Sequence, residues 1–123
     1  MLGTRPDIAF AVAILSRFIA YPRVKHDKAL NHIFQYLNGT IHLGITYSQS
    51  ESPIPFGYSD SDYAGMVVKE GRKSTSGFIF FLVGGPVSWS CKRQSVVAMS
   101  STEAEYIAQY NAAREAIWIR IFL

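Results

Sequence analysis

The sequence predicts a mixed α/β (α+β) fold: two helices and a strand, followed by a three-stranded antiparallel sheet with one packed helix. Three observations carry that expectation. Apolar residues recur at helical spacing up to Leu37, alternate or run together between Ile41 and Cys91, and sit among strong helix formers from Ser101 onward. At 123 residues the chain holds one domain or a piece of one, and excludes an enzyme with a separate substrate domain.

The first helix is expected over residues 8–20. Thr4 offers an N-cap, Pro6 a first-turn proline, and Asp7 an acid near the positive end of the dipole. The segment is apolar almost all round, which requires burial on most sides, and Pro22 ends it. A second helix over residues 24–37 places Leu30, Ile33, Phe34 and Leu37 on one stripe, and Asn38-Gly39 stops it. Ile41, Leu43, Ile45 and Tyr47 then alternate with polar residues, the pattern of a half-buried strand.

Residues 49–55 are polar and carry prolines, so the best internal boundary divides residues 1–50 from 51–123. Beyond it three strands are expected, over 55–62, 76–83 and 86–91, with Gly84-Gly85 as a two-residue hairpin loop. Phe78 to Val83 is apolar on both faces, as in a central strand covered above and below. Residues 64–75 read as a loop bearing Lys69, Arg72 and Lys73. A long helix follows over residues 101–122, opened by a Ser100/Glu103 capping box. Its apolar last turn meets no later element, which reads as a truncation and agrees with a mean hydropathy of +0.11.

Composition narrows the function classes. Apolar residues are 49% and charged residues 17%, which excludes disorder and fibrous repeats. No apolar run reaches the roughly 18 residues of a membrane span, and Arg5 and Asp7 interrupt any signal-peptide core. A single cysteine, Cys91, excludes an internal disulfide framework and a thiolate zinc site. His26, His32 and His42 are too scattered to form a ligand cluster. The formal charge of +3 is compatible with a polyanionic partner without requiring one.

Two stretches carry chemistry. In GYSDSDYAG, residues 57–65, Asp60 and Asp62 are two apart and share a face on a continuing strand. As ordinary turn residues they would instead cap backbone groups. In SSTEAEYIA, residues 100–108, Glu103 can serve the cap and the dipole, whereas Glu105 needs a separate explanation. Ala108, Ala112 and Ala116 lie on its side of the helix, a small-residue stripe that lets the helix approach a sheet and brings Glu105 beside Asp60. The alternative is a solvent-facing glutamate. A strand-end carboxylate and a helix carboxylate can share a hard divalent cation. Magnesium with waters and a phosphate suits phosphodiester chemistry. Arg72, Lys73, Lys92 and Arg93 fall in loops near Tyr63 and Trp89, placed for phosphate contact or simply solvated.

GYSDSDYAG, RKSTSGFIFFL, PVSWSCKRQ, VAMSSTEAEYIA and AAREAIWIR, in that order, resemble the ribonuclease H domain of Ty1/copia-type retrotransposon polyproteins. TRPDIAFAVAILSRF and HDKALNHIFQYLNGT resemble the end of the reverse transcriptase and the connecting segment that precede that domain. The resemblance spans nearly the whole chain. It implies an incomplete ribonuclease H-like fold at 51–123, after a reverse transcriptase C-terminal or connection segment at 1–50. Asp60 and Glu105 match the family's catalytic metal ligands, for Mg2+ with Mn2+ as a substitute, and Asp62 and Glu103 are then accessory acids. The implied partners are an RNA/DNA hybrid and the remaining polyprotein segments, with no membrane and no further small-molecule cofactor. The implied location is an intracellular particle or the nucleus rather than the outside of the cell.

The family uses four acids. Its third lies in a D-N block on a later strand and its fourth near the domain's end, and both would fall after Leu123. Two carboxylates cannot assemble a two-metal clamp, so the chain as given is expected to fold poorly alone and not to cleave. A different class of reading is a non-catalytic relic or nucleic-acid-interacting module of a degraded transposon. A third, the D-x-D of a nucleotide-sugar transferase, lacks a Gly-rich phosphate loop leading into a helix.

Overall fold

The computed structural model describes residues 3–64 and 71–123. Part of the expected 64–75 loop, with Lys69, lies outside the described residues. The chain divides into two compact units, Met1–Ile45 and Thr46–Leu123.

In the first unit a 3-10 turn over Pro6–Ile8 leads into α1, Ala9–Leu15, and a second 3-10 turn over Ser16–Phe18. The helix α2 then runs over Val24–Gly39. The residue at the first N-cap is Arg5 rather than Thr4. Asp7 is drawn from capping into a polar cluster. Arg5 grips its carboxylate through Nε at 3.0 Å and Nη2 at 2.8 Å, and the Tyr36 hydroxyl donates to it at 2.8 Å. Arg5 also donates to Thr40 Oγ1 at 2.7 Å, so the start of the unit is tied to the end of α2. The expected burial on most sides is not met: Ile8 is buried, but Phe10 and Ile19 are exposed. Within this unit α2 is the long helix that α1 meets, and one helix covers one stripe.

The strand expected at 41–47 does not form; the chain is irregular from there to Phe56. Alternation alone makes no strand without a ladder partner. Tyr47 and Ser48 instead meet the tip of a hairpin, where Ser48 N–H donates to Val83 O at 2.9 Å and the Tyr47 hydroxyl to Pro86 O at 2.8 Å. The Tyr47 ring lies so close to Gly85 that a Cβ there would come within 2.6 Å of it.

The second unit is built on an antiparallel sheet of order β1-β2-β3, formed by Phe56–Asp62, Thr75–Leu82 and Gly85–Arg93. Ser61 pairs with Ser76 across β1 and β2, which fixes which side chains share a face. The hairpin turn sits one residue earlier than expected, because Leu82 pairs with Gly85 and leaves Val83-Gly84 as the loop. Both loop residues have positive φ, +46° and +85°, as a two-residue turn of the I′ kind demands.

The helix α3, Ser101–Phe122, covers the sheet face that carries Ser76 and Phe78. It buries Ala104, Ala108, Ala112 and Ile119. Ser100 Oγ accepts from Glu103 N–H at 3.1 Å, while the Glu103 carboxylate accepts from Met99 N–H at 2.7 Å, one residue before the capping-box position. Cover above and below the central strand is not found: on the face away from α3, Phe56, Tyr58 and Phe81 pack ring against ring, with Phe56 and Tyr58 exposed. No helix among the described residues is long and apolar enough to cross a membrane.

Two predictions follow from local chemistry. The Arg5 guanidinium, helped by the Tyr36 hydroxyl, holds the Asp7 carboxyl at about 2, below its ordinary 3.8. A depressed carboxyl stabilises the fold above its unfolded pKa and loses that contribution as pH falls through the folded one. Acid titration by circular dichroism should show the first unit weakening from about pH 4 towards pH 2, and Asp7→Asn should flatten that limb. At the hairpin, a β-branched residue with φ +46° is strained. Val83→Asn should stabilise the second unit by about 1 kcal/mol, read as a higher unfolding temperature.

Candidate metal centre

Among the described residues strand β1 is paired on one side only, by β2. Along such a strand alternate residues turn their N–H groups towards the partner and away from it. Ser61 turns its N–H away, and two carboxylates converge on it: Asp60 Oδ1 accepts at 2.9 Å and Glu105 Oε1 at 3.3 Å. Asp60 comes from the strand itself and is exposed; Glu105 comes from α3 and is half-buried. Both carboxylates thus reach the same backbone N–H.

The reach of Glu105 has a steric cause. Ala104 and Ala108 are both 0% exposed, so the helix lies directly on the sheet where Glu105 leaves it. With larger residues at those positions the axis would stand off and the carboxylate would fall short.

The other acids have different fates. Asp62 is exposed on the face of β1 that Asp60 shares, without joining the Ser61 amide. Glu103 is committed to the helix start through Met99 N–H. Among the described residues no group of three or more His, Cys, Asp or Glu side chains could hold a metal ion. The pair fits a single magnesium-type cation, which takes one or two carboxylates and completes its shell with water. It does not by itself fit a two-metal arrangement.

The cations named above separate into two places. Arg72 and Lys73 precede β2, and Lys73 donates through Nζ to Ser95 O. Lys92 and Arg93 lie not in a loop but in the last two positions of β3, paired with Ser76 and Thr75, and they line a groove of about 580 Å3 between β3 and α3, with Arg114, Tyr110 and Trp118 on its helix side. The Arg114 guanidinium sits 5.8 Å from the centre of the Tyr110 ring. The acid in the groove, Glu115, accepts from the Ser88 hydroxyl at 2.5 Å. Of the aromatics, Tyr63 donates to Met99 O at 3.3 Å, and Trp89 faces away from α3 by its register with Ile79. Arg114 was the residue sequence reasoning missed; the signal was the i, i+4, i+8 spacing of Tyr110, Arg114 and Trp118 on one helix stripe.

Comparison with known proteins places this geometry in context. No family model matches the chain, and no solved structure matches it. The secreted RxLR effector protein 161 of Plasmopara viticola is 46% identical over 98% of this chain and 84% of its own length. The retrovirus-related Pol polyprotein from transposon TNT 1-94 of Nicotiana tabacum is 45% identical over 100% of this chain and 9% of its own. The corresponding polyprotein from transposon RE1 of Arabidopsis thaliana is 44% identical over 94% of this chain and 8% of its own. This chain therefore spans under a tenth of those polyproteins. It belongs to the family of copia-type retrotransposon Pol polyproteins.

Proposed function

We propose that the second unit is the metal-binding part of a ribonuclease H-like domain, and that the complete domain hydrolyses the RNA strand of RNA/DNA hybrids. The observation that carries this reading is the convergence of Asp60 and Glu105 on the Ser61 N–H. Bound there, a magnesium ion supplies a Lewis acid for phosphodiester hydrolysis. Asp60 and Glu105 would hold it, and the exposure of Asp60 would leave the ion accessible to a phosphate. Asp62, exposed nearby, is an accessory acid; Glu103 acts only through the helix cap. Two in-line metal ions require more carboxylates than this pair, so the chain alone binds metal without cleaving.

The groove between β3 and α3 supports a polyanionic partner. Lys92, Arg93 and Arg114 outnumber Glu115, and Tyr110 and Trp118 offer ring faces to bases. Such contacts are made to phosphates and carry no sequence information. The further partners of this reading are the other segments of the polyprotein.

One observation favours a second reading. The same segment makes up 84% of the effector relative, so there it stands without a polyprotein around it. A non-catalytic interaction module is the function that reading assigns.

Three measurements on the 123-residue chain test these readings. Calorimetric titration with Mn2+ should show binding that Asp60→Asn and Glu105→Gln each weaken by about 10-fold or more; binding indifferent to both removes the metal reading. A labelled RNA/DNA hybrid should stay intact with the chain alone, and be cut when the chain is joined to the polyprotein segment that follows it in the relatives, with Asp60→Asn inactive. Hybrid binding should weaken with salt, and Lys92→Ala or Arg114→Ala should each lower the salt slope by about 1.

A further inference from the structure

Buried alanines bring α3 close to the sheet, but they hold it there poorly along its axis. A stripe of methyl groups has shallow ridges, so sliding by a fraction of a turn disturbs few contacts. A directional bond is needed to fix the height of Glu105 over Ser61. Gln94, immediately after β3, makes one. It is 5% exposed, and its backbone is pinned by Gln94 N–H donating to Ser74 O at 2.9 Å. Its side-chain Nε2 donates to Ser76 Oγ at 2.8 Å and to Ala104 O at 2.9 Å.

These two acceptors stand at the ends of one structural circuit. Ser76 is the direct cross-strand partner of Ser61, whose N–H lies between the carboxylates. Ala104 is the residue before Glu105. One amide group thus links the helix at the metal carboxylate to the strand position opposite the metal carboxylates' shared donor. Both Nε2 hydrogens are used, one on the strand and one on the helix.

We propose that Gln94 is a positioning residue for the metal centre: it sets the register of α3 on β2 and thereby holds Glu105 against Asp60. This rests on the metal-binding reading above. Gln94 touches neither the ion nor the substrate; it acts through Ala104 and Ser76. Groups in this relation to metal ligands alter metal affinity by about 10- to 100-fold when removed.

The test is a double-mutant cycle on the full chain, read by Mn2+ affinity and by broadening of the Ser61 amide resonance. Gln94→Met keeps the volume and removes both bonds; Ser76→Ala removes only the sheet anchor and serves if Gln94→Met does not fold. Either variant should weaken Mn2+ by about 10-fold and make a further Glu105→Gln cost clearly less than it costs in the parent chain. A role in stability alone would lower the unfolding temperature and leave the Glu105→Gln effect at full size in the folded protein; that result overturns the proposal while the metal reading stands. If Asp60→Asn and Glu105→Gln leave Mn2+ binding unchanged in the parent chain, both fall together.

Discussion

Helix α3 rests on the sheet through Ala104 and Ala108, both without solvent exposure, and the geometry of the second unit depends on that close contact. A methyl group is the smallest side chain that still excludes water between a helix and a strand. Anything larger would lift the axis, and the Glu105 carboxylate would no longer reach the β1 backbone. The same contact stabilises weakly, because burying methyl groups removes little apolar area from water. Polar ties therefore appear where the helix has no large side chain to wedge in: Gln94 near its start, and Glu115 on Ser88 further along.

The sheet has an unequal pair of faces and an unequal pair of edges. One face is roofed by α3, and the other carries the Phe56, Tyr58 and Phe81 rings. The outer edge of β1 is polar, with Ser59, Asp60, Ser61 and Asp62 in succession. Charge on an exposed edge strand discourages pairing with a second chain. It also keeps the Ser61 N–H open to side-chain acceptors instead of a main-chain ladder.

Much of this was legible in the sequence where one local rule decides. The span of α3 follows from its cap and its helix formers, and the three strands follow from pattern and turn residues. The meeting of Asp60 with Glu105 could be reasoned from a strand end and an alanine stripe. What failed had no local cause. Ile41 to Tyr47 alternates like a strand, but strand formation needs a partner, and the chain there meets a hairpin tip instead. Glycine pairs usually mark a hairpin loop, yet register moved the turn to Val83-Gly84 and left Gly85 beneath the Tyr47 ring. Gln94 gave no signal at all, since nothing in a lone glutamine after a strand says that Ala104, ten residues on, will be its acceptor.

The two acids at the start of α3 differ in how firmly they are held. Glu103 accepts from Met99 N–H at 2.7 Å and lies in the first turn, where the helix dipole favours negative charge. Glu105 is past that turn, and its bond to Ser61 N–H is long, at 3.3 Å, and shared with Asp60. Two carboxylates of like charge here share a single neutral donor. One neutral N–H does not balance two charges, whereas a divalent cation turns the repulsion into two attractions. A weak, shared hydrogen bond is also surrendered at little cost, so Glu105 is held in place by the helix rather than by the contact it makes. That is the arrangement a metal ligand needs: position fixed from behind, and an oxygen free to exchange its partner.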